Sequence, residues 1–164
     1  MFIFGLPRSR TAWFSAFMSQ SGIKFYHEAI DGCNTLAEYE NKISGCGDCT
    51  TGLCLLGSTG ITSNAKIVII KKNKKELERC VSWCDDSYDM NSKALVDEWY
   101  SQLMSFDGLV VNQSEIDDNL KSIWEYLVDI PWDDKYKDIA KLNIQVKSIC
   151  INEEAAKNLH ESIQ

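Results

Sequence analysis

Apolar residues along the chain form short continuous runs that alternate with stretches of helical spacing. The runs at 1–4, 23–26, 67–70 and 109–111 predict strands, and the run at 67–70 is apolar on both faces of the strand that it predicts. Apolar positions three and four residues apart predict helices over 11–22, 74–83, 92–106, 116–127 and 136–139. A strand that is apolar on both faces is typical of the centre of a parallel sheet, so this alternation predicts an α/β fold.

The remaining segments predict shorter elements. Asn34 is placed to cap a short helix through Tyr39 to Ile43. Residues 45–60 are rich in Gly, Cys, Thr and Ser, which predicts a loop with a short helix starting near Thr50. Further on, the pattern predicts a small edge strand at 144–146 and a helix over 152–164. We interpret residues 1–164 as a single domain with three layers, in which helices flank a central, mostly parallel sheet.

The segment between the first predicted strand and the first predicted helix, Gly-Leu-Pro-Arg-Ser-Arg-Thr at 5–11, predicts an oxyanion-binding loop. A tight loop from a strand into a helix points backbone N–H groups and the positive end of the helix dipole at one spot. Two guanidinium groups and two hydroxyl groups add donors that suit phosphate or sulfate oxygens. The alternative is a strand-to-helix turn with two solvated arginines.

This loop departs from the Walker A pattern G-x-x-x-x-G-K-[ST]. Counting from Gly5, the second Gly, the Lys and the Ser/Thr positions hold Arg10, Thr11 and Ala12. The loop therefore lacks the lysine and the magnesium-binding hydroxyl that ATP hydrolysis requires. A nucleotide or nucleoside kinase remains an alternative because the same fold would serve it.

The loop resembles the 5′-phosphosulfate loop of the sulfotransferase family, whose pattern is close to P-[KR]-S-G-T-[TS]-W. Five residues match that pattern in order: Pro7, Arg8, Ser9, Thr11 and Trp13. Arg10 stands in place of the glycine and Ala12 in place of the second hydroxyl residue. The form P-R-S-R-T-A-W is similar to that of small sulfotransferase-like proteins of phages and bacteria. The resemblance implies a P-loop NTPase-like fold in which residues 7–13 bind the cofactor 3′-phosphoadenosine 5′-phosphosulfate (PAPS).

The sulfotransferase family holds the 3′-phosphate of PAPS with an Arg at the end of a strand and a Ser on the following helix. Lys71 and Lys72 follow the strand at 67–70, and Ser82 lies on the next predicted helix. The resemblance implies that these three residues hold the 3′-phosphate, although lysine replaces arginine and the spacing to Ser82 is longer than in the pattern. A solvated, basic helix start is the alternative.

His27 and Glu28 directly follow the second predicted strand and are the candidate catalytic bases. Imidazole has a pKa suited to accepting a proton near pH 7, and sulfate transfer to a hydroxyl or amine releases one. In a parallel sheet, the loops after Phe4, Tyr26 and Ile70 end at the same edge. We therefore expect these candidate bases to lie near the oxyanion loop and the lysines.

The charge distribution favours a small anionic ligand. The chain carries a net charge of −7, but residues 1–84 hold ten Lys and Arg against seven Asp and Glu, whereas residues 85–164 hold seven against seventeen. An acidic second half makes nucleic acid an unlikely partner, because its binding depends on neutralising many phosphates. No apolar run reaches membrane-spanning length and no signal peptide is visible, so we expect a cytoplasmic protein.

The seven cysteines favour ordinary reduced thiols over a metal site. Cys46 and Cys49 form a C-x-x-C pair with Cys33 and Cys54 nearby, but no second C-x-x-C or His pair completes a zinc site. Cys80 and Cys84 are four residues apart on a predicted helix and are expected to pack together. No metal is expected.

The sequence therefore leads to one main hypothesis and two alternatives. The main hypothesis is a small sulfotransferase-like protein that binds PAPS or its bisphosphate product and, if it is an enzyme, transfers sulfate to a hydroxyl or amine acceptor. One alternative is the kinase. The other is a non-enzymatic phage or bacterial protein that keeps the fold and acts through a partner. The sequence identifies neither the acceptor nor the oligomeric state.

Overall fold

The computed structural model describes residues 1–52, 64–88 and 91–140, and in this part of the chain strands alternate with helices. The strands are β1 (Phe2–Gly5), β2 (Phe25–His27), β3 (Gly47–Thr50), β4 (Ile67–Lys71) and β5 (Leu109–Asn112). The helices are α1 (Thr11–Met18), α2 (Leu36–Ile43), α3 (Lys74–Tyr88), α4 (Lys93–Leu103), α5 (Leu120–Leu127) and α6 (Lys135–Ala140), with 3₁₀ turns at Ser19–Ser21 and Gln113–Glu115. The described strands form one sheet in the order β2-β3-β1-β4-β5, and every neighbouring pair is parallel. The predicted α/β fold with a central parallel sheet is confirmed.

Successive residues of the central strands enter two different cores, as the two-residue period of a strand requires. Ile3 and Val68 pack on the face covered by α1, α5 and α6, where Trp124 is fully buried. Phe4 and Ile69 pack on the opposite face, against α2, α3 and α4. The strand at 67–70 is buried along its whole apolar length and pairs with both β1 and β5, which confirms its predicted central position.

β3 corrects the prediction of a loop over residues 45–60. Its four residues, Gly-Asp-Cys-Thr, are all buried between β1 and β2. The carboxylate of Asp48 accepts hydrogen bonds from the Ala29 N–H at 3.0 Å and the Tyr39 hydroxyl at 2.9 Å, so a polar residue is accommodated in the interior. Thr50 itself belongs to β3, but Gly52, two residues later, is helical, and the rest of the short helix predicted to start near Thr50 falls on residues 53–63, outside the described part of the chain.

Position 47 of β3 requires glycine, because the ring of Phe25 on the neighbouring strand occupies the space that a side chain would need. A Cβ built on Gly47 would lie 2.2 Å from the nearest ring carbon of Phe25. We predict that Gly47→Ala lowers the free energy of unfolding by about 1–3 kcal/mol, because the ring must leave its packed position. Urea denaturation measures this loss, and Ser44→Ala, at an exposed position just before β3, is the control. A Gly47→Ala variant as stable as the control would contradict this packing.

The start of α2 and the end of α1 show how closely local sequence patterns predict the limits of a helix. α2 begins one residue later than predicted, because Thr35 rather than Asn34 is the N-cap and its hydroxyl accepts from the Glu38 N–H at 3.2 Å. Asn34 instead donates its own N–H to the Glu38 carboxylate at 2.7 Å. The helix predicted over 11–22 is α1 followed by the 3₁₀ turn, and Gly22 ends that turn with φ of 83°.

The later helices are predicted in the right order but with different ends. α3 continues to Tyr88, five residues beyond the predicted end, and α4 is shorter than predicted at both ends. α5 begins at Leu120, four residues later than predicted, because residues 116–119 continue the turn that starts with the 3₁₀ turn at Gln113–Glu115. The strand and the helix predicted at 144–146 and 152–164 lie outside the described residues. Within the described ranges, no helix is both long and apolar enough to cross a lipid bilayer.

Candidate functional site

The candidate site lies at the carboxyl ends of β1 and β4, which are neighbours in the sheet. The chain leaves β1 toward α1 on one face of the sheet and leaves β4 toward α3 on the opposite face. Two adjacent parallel strands whose connections diverge in this way leave a crevice between their ends, where α/β proteins commonly bind ligands. The expectation that the loops after Phe4, Tyr26 and Ile70 share one edge of the sheet is confirmed by the parallel pairing of all described strands.

The loop after β1 has an unusual backbone. Arg8 and Arg10 have left-handed conformations, with φ of 68° and 62°, whereas Ser9 between them does not. Conformations of alternating hand turn successive backbone N–H groups toward one side of the chain and form a concavity that suits an anion. Each left-handed non-glycine residue costs on the order of 1–2 kcal/mol, so the surrounding structure must hold the loop in place.

Gly5 and Ser9 hold the two ends of the loop together. A Cβ on Gly5 would lie 2.5 Å from the Ser9 Cβ and 2.9 Å from its Oγ, so only glycine permits this approach. Ser9 is fully buried, and its hydroxyl has no hydrogen-bond partner in the described part of the chain. A buried hydroxyl without a partner is uncommon in folded proteins and often occurs at functional positions.

Backbone donors are exposed where the loop enters α1. Among the described residues, none of the N–H groups of residue 8 and residues 10–13 donates a hydrogen bond to the protein backbone. The N-cap of α1, Arg10, supplies no side-chain cap, and no acidic residue occupies the first turn. The positive end of the helix dipole is therefore uncompensated here, which favours an anion in front of the helix.

The two arginines of the loop have different environments. Arg10 donates to the Asp117 carboxylate at 2.9 Å, and its guanidinium lies 4.2 Å from the centre of the Trp13 ring. Arg8 is exposed and has no ion-pair or hydrogen-bond partner within the described ranges. Arg8 is thus the guanidinium of this loop that is available to a ligand, whereas Arg10 is held by Asp117 and Trp13.

Lys72 adds a buried cation next to the loop. Its side chain is 2% exposed, and its Nζ donates to the Gln113 Oε1 at 2.6 Å. The pKa of Lys72 is lowered to about 8, mainly by burial; Cys80 and Glu76 raise it, and the charge of nearby Arg8 lowers it. Lys72 therefore remains mostly protonated at pH 7 with a neutral amide as its hydrogen-bond partner, and it lies close enough to Arg8 for the charge of Arg8 to affect its pKa.

The other residues predicted to bind the cofactor include Lys71, Ser82, Trp13, Pro7 and Ala12. Lys71 is exposed at the last position of β4, and Ser82 is exposed on α3, roughly 12 Å along the helix from its first residue. Trp13 is buried and stacks on the ring of Phe17 with centroids 4.9 Å apart, which confirms that it packs at the start of the helix. Pro7 and Ala12 are partly exposed on either side of the arginines. The structure therefore brings Arg8 and Lys72 together but leaves Ser82 away from the loop.

His27, a candidate base, contacts the loop. Its Nε2 lies 3.1 Å from the Oγ1 of Thr11, the first residue of α1. Burial lowers the pKa of His27, and the carboxylate of Glu28, 4.0 Å from Nε2, raises it. Because burial is the larger effect, the imidazole is neutral at pH 7 and able to accept a proton.

Glu28, the second candidate base, is surrounded by donors. Its two carboxylate oxygens accept four hydrogen bonds, from the N–H and hydroxyl of Thr51, the hydroxyl of Thr50 and the N–H of Gly52, at 2.6–3.1 Å. Its backbone is left-handed, with φ of 51°. These contacts give Glu28 a structural role, tying the end of β2 to the end of β3. His27 is left as the candidate base, and its second ring nitrogen has no hydrogen-bond partner in the described part of the chain.

The partners of the site residues that were not predicted from the sequence include Asp117, Gln113 and Thr51. Each lies far along the chain from the residue that it contacts, by 107, 41 and 23 positions respectively. No local pattern identifies these pairs, since they depend on which loops the sheet brings together.

Cysteines and cavities elsewhere do not add to the site. The described cysteines are all free, and no group of three or more His, Cys, Asp and Glu in the described ranges is arranged to hold a metal ion. Cys80 and Cys84 share a hydrogen bond between their thiols, which confirms that they pack together. An open groove of about 500 Å³ lies at the amino ends of the strands, opposite the candidate site, beside Met1, Ile43 and Cys46. Among the described residues, no cationic side chain lines this groove.

Comparison with known proteins gives no match for this chain: no protein-family model, no curated protein and no solved structure is significantly similar to it. A function must therefore be argued from the geometry of the site.

Proposed function

We propose that this chain is a small sulfotransferase-like protein that binds the phosphosulfate group of PAPS, or the 5′-phosphate of its product adenosine 3′,5′-bisphosphate, in the loop at residues 7–13. The observation that carries the proposal is the loop itself. Within the described part of the chain, its backbone N–H groups at 8 and 10–13 have no backbone acceptor and Arg8 has no partner, and the buried Lys72 lies close enough to Arg8 to be affected by its charge. N–H groups and two cations at one point suit an oxyanion with more than one charge.

The architecture around the loop supports a P-loop NTPase-like fold. The loop follows the central strand of a parallel sheet and opens into a helix, at a point where neighbouring connections diverge. Arg10, which stands where the sulfotransferase pattern has glycine, has the left-handed backbone that glycine adopts most readily. A P-loop of this kind would differ from its pattern in side chain but not in backbone conformation.

The proposal also assigns the remaining parts of the reaction. Sulfate transfer develops negative charge on the leaving phosphate, and Arg8, Lys72 and the N–H groups of the loop are placed to stabilise it. His27 is the base for the proton of the acceptor hydroxyl or amine. Lys71, an exposed cation that precedes Lys72 in the sequence, is assigned to the 3′-phosphate. Thr11 and Ala12 hold the positions of the Walker lysine and hydroxyl, so a metal-dependent kinase is less well supported.

Thermal unfolding with adenosine 3′,5′-bisphosphate, without magnesium, tests this proposal. We expect the bisphosphate to raise the melting temperature by roughly 5–10 °C at about 100 times its Kd, because it binds the native state alone. Arg8→Ala is expected to weaken binding by roughly 10–100-fold, the loss of a charge-assisted hydrogen bond. Lys66→Ala, which removes an exposed cation at the opposite edge of the sheet, is the control and should bind normally.

The alternatives give different results in the same assay. A shift with ATP and magnesium alone would support the kinase. No shift with either nucleotide would overturn the proposal and favour the protein that acts through a partner. Binding of the bisphosphate that Arg8→Ala leaves unchanged would place the nucleotide outside this loop.

A further inference from the structure

The contact between Thr11 and His27 links the anion loop to the candidate base. Thr11 Oγ1 and His27 Nε2 lie 3.1 Å apart, joining the first residue of α1 to the last residue of β2. A hydroxyl has one proton and a neutral imidazole has one N–H, so either group donates across this contact but not both. The direction of this hydrogen bond therefore decides which ring nitrogen of His27 carries the proton.

We propose that anion binding at the loop reverses this hydrogen bond and thereby changes the tautomer of His27. The inference rests on the proposed function, since it requires an anion at the loop. In the free protein, the Thr11 hydroxyl donates to Nε2, and Nδ1 carries the ring proton. A bound sulfate or phosphate oxygen is a charged acceptor and takes the Thr11 hydroxyl hydrogen bond, because hydrogen bonds to charged acceptors are the stronger ones. Thr11 Oγ1 then accepts from Nε2–H, and Nδ1 is left with a lone pair.

This change prepares the base for the second substrate. The ring proton moves from Nδ1 to Nε2 by exchange with solvent, and no proton is gained or lost overall. An Nδ1 lone pair is the form of imidazole that accepts a proton from an acceptor hydroxyl or amine at that atom. The sulfate donor, by binding first, thereby selects the tautomer that the transfer step needs.

The groups around His27 keep its ring neutral, so the property that anion binding changes is the tautomer and not the charge. Thr11 approaches from α1, and Cys49 on β3 is in register with His27. Burial raises the pKa of the Cys49 thiol well above its usual value, so Cys49 is uncharged. Glu28 is the charged group near the ring, and its oxygens are occupied by four donors from the end of β3. The Glu28 carboxylate, 4.0 Å from Nε2, favours a proton on that nitrogen once the Thr11 hydroxyl no longer donates to it.

¹⁵N NMR of protein labelled at histidine tests the inference, because protonated and unprotonated ring nitrogens differ widely in chemical shift. The chain contains two histidines, and His27→Gln assigns the signals of His27. We expect Nδ1 to be the protonated nitrogen in the free protein and Nε2 in protein saturated with adenosine 3′,5′-bisphosphate. Thr11→Ser keeps the hydroxyl and should show the same change. Thr11→Val keeps the shape without the hydroxyl and should show no change of tautomer on saturation.

Backbone amide signals of residues 8–13 report binding in the same samples, which separates the two proposals. Amide signals that move while the His27 tautomer stays the same would overturn the inference and leave the proposed function standing. A tautomer change that persists in saturated Thr11→Val would also overturn it, since Thr11 would then not be the link. Amide signals that do not respond would overturn the proposed function and the inference with it.

Discussion

At pH 8, Asp48→Asn is expected to be more stable than the wild-type protein by roughly 2 kcal/mol, although it replaces a charged, hydrogen-bonded residue. Asp48 is fully buried in β3. Burial raises the pKa of its carboxyl from 3.8 to about 7, against the opposing effect of hydrogen bonds from the Ala29 N–H and the Tyr39 hydroxyl. Nearby Glu28 raises it and Lys42 lowers it. The charged form of this side chain therefore destabilises the folded state.

The sign of the pH dependence follows from the direction of this shift. Between pH 4 and pH 7 the folded protein holds the Asp48 proton more tightly than the unfolded chain does. The contribution of Asp48 to stability is therefore favourable at low pH and is lost as the pH rises through this window. A shift of about three units corresponds to a loss of roughly 4 kcal/mol. Asparagine avoids this loss but reorganises the hydrogen bond with Tyr39, at a cost of about 1–2 kcal/mol.

Urea denaturation of both proteins from pH 4 to pH 8 measures this effect. The difference in free energy of unfolding isolates Asp48, because His27 and other titrating groups contribute to both proteins. We expect Asp48→Asn to be equal to the wild type or slightly less stable at pH 4, and to gain relative stability up to pH 7. Asp86→Asn, at an exposed position on α3, is the matched control. A difference that stays constant across this range would contradict a buried carboxyl with a raised pKa.

Glu28→Gln is expected to lower the free energy of unfolding by about 2–4 kcal/mol at pH 7, because an amide cannot replace the Glu28 carboxylate. The carboxylate accepts four hydrogen bonds from Thr50, Thr51 and Gly52. In glutamine, one oxygen becomes an NH₂ group that faces donors, so two of these donors lose their acceptor. The effect is structural, since these contacts fix the ends of β2 and β3 beside His27.

Chemical denaturation of Glu28→Gln with an unchanged dependence on urea concentration would show that the variant is a folded but weaker protein. Glu40→Gln, an exposed glutamate on α2, removes the same charge and is the control. A Glu28→Gln variant within about 0.5 kcal/mol of the control would show that the four hydrogen bonds are not maintained in solution. Glu28 would then be free to act as a base.

Much of the fold follows from local sequence patterns. The apolar runs at 1–4, 23–26, 67–70 and 109–111 predict four of the five described strands. The runs of β1 and β4 are continuous because a parallel strand covered on both faces has few positions for polar residues. The loop for which we propose oxyanion binding is also identified from the sequence, since Gly5, two arginines and the start of α1 are adjacent along the chain. The placement of these elements on one sheet edge follows from parallel pairing.

β3 shows where local patterns fail. Its glycine, aspartate and threonine are typical of a loop, and nothing in residues 47–50 shows that they are buried. The reason lies in other elements: the ring of Phe25 fills the space above Gly47, and Tyr39 and Ala29 provide donors for Asp48. A strand whose burial depends on distant partners cannot be identified from its own composition.

The roles of the candidate site residues also depend partly on the local sequence and partly on tertiary contacts. The sequence by itself determined the α/β order of elements, the central strand at 67–70 and the candidates Arg8, His27 and Glu28, because these depend on side-chain chemistry and spacing along the chain. Only the tertiary structure decided that Arg10 is held by Asp117 while Arg8 has no partner among the described residues, and that Glu28 is surrounded by donors while His27 contacts Thr11. Hydrogen bonds and ion pairs act over a few ångströms in space, so residues far apart in sequence decide which candidate remains available to a ligand.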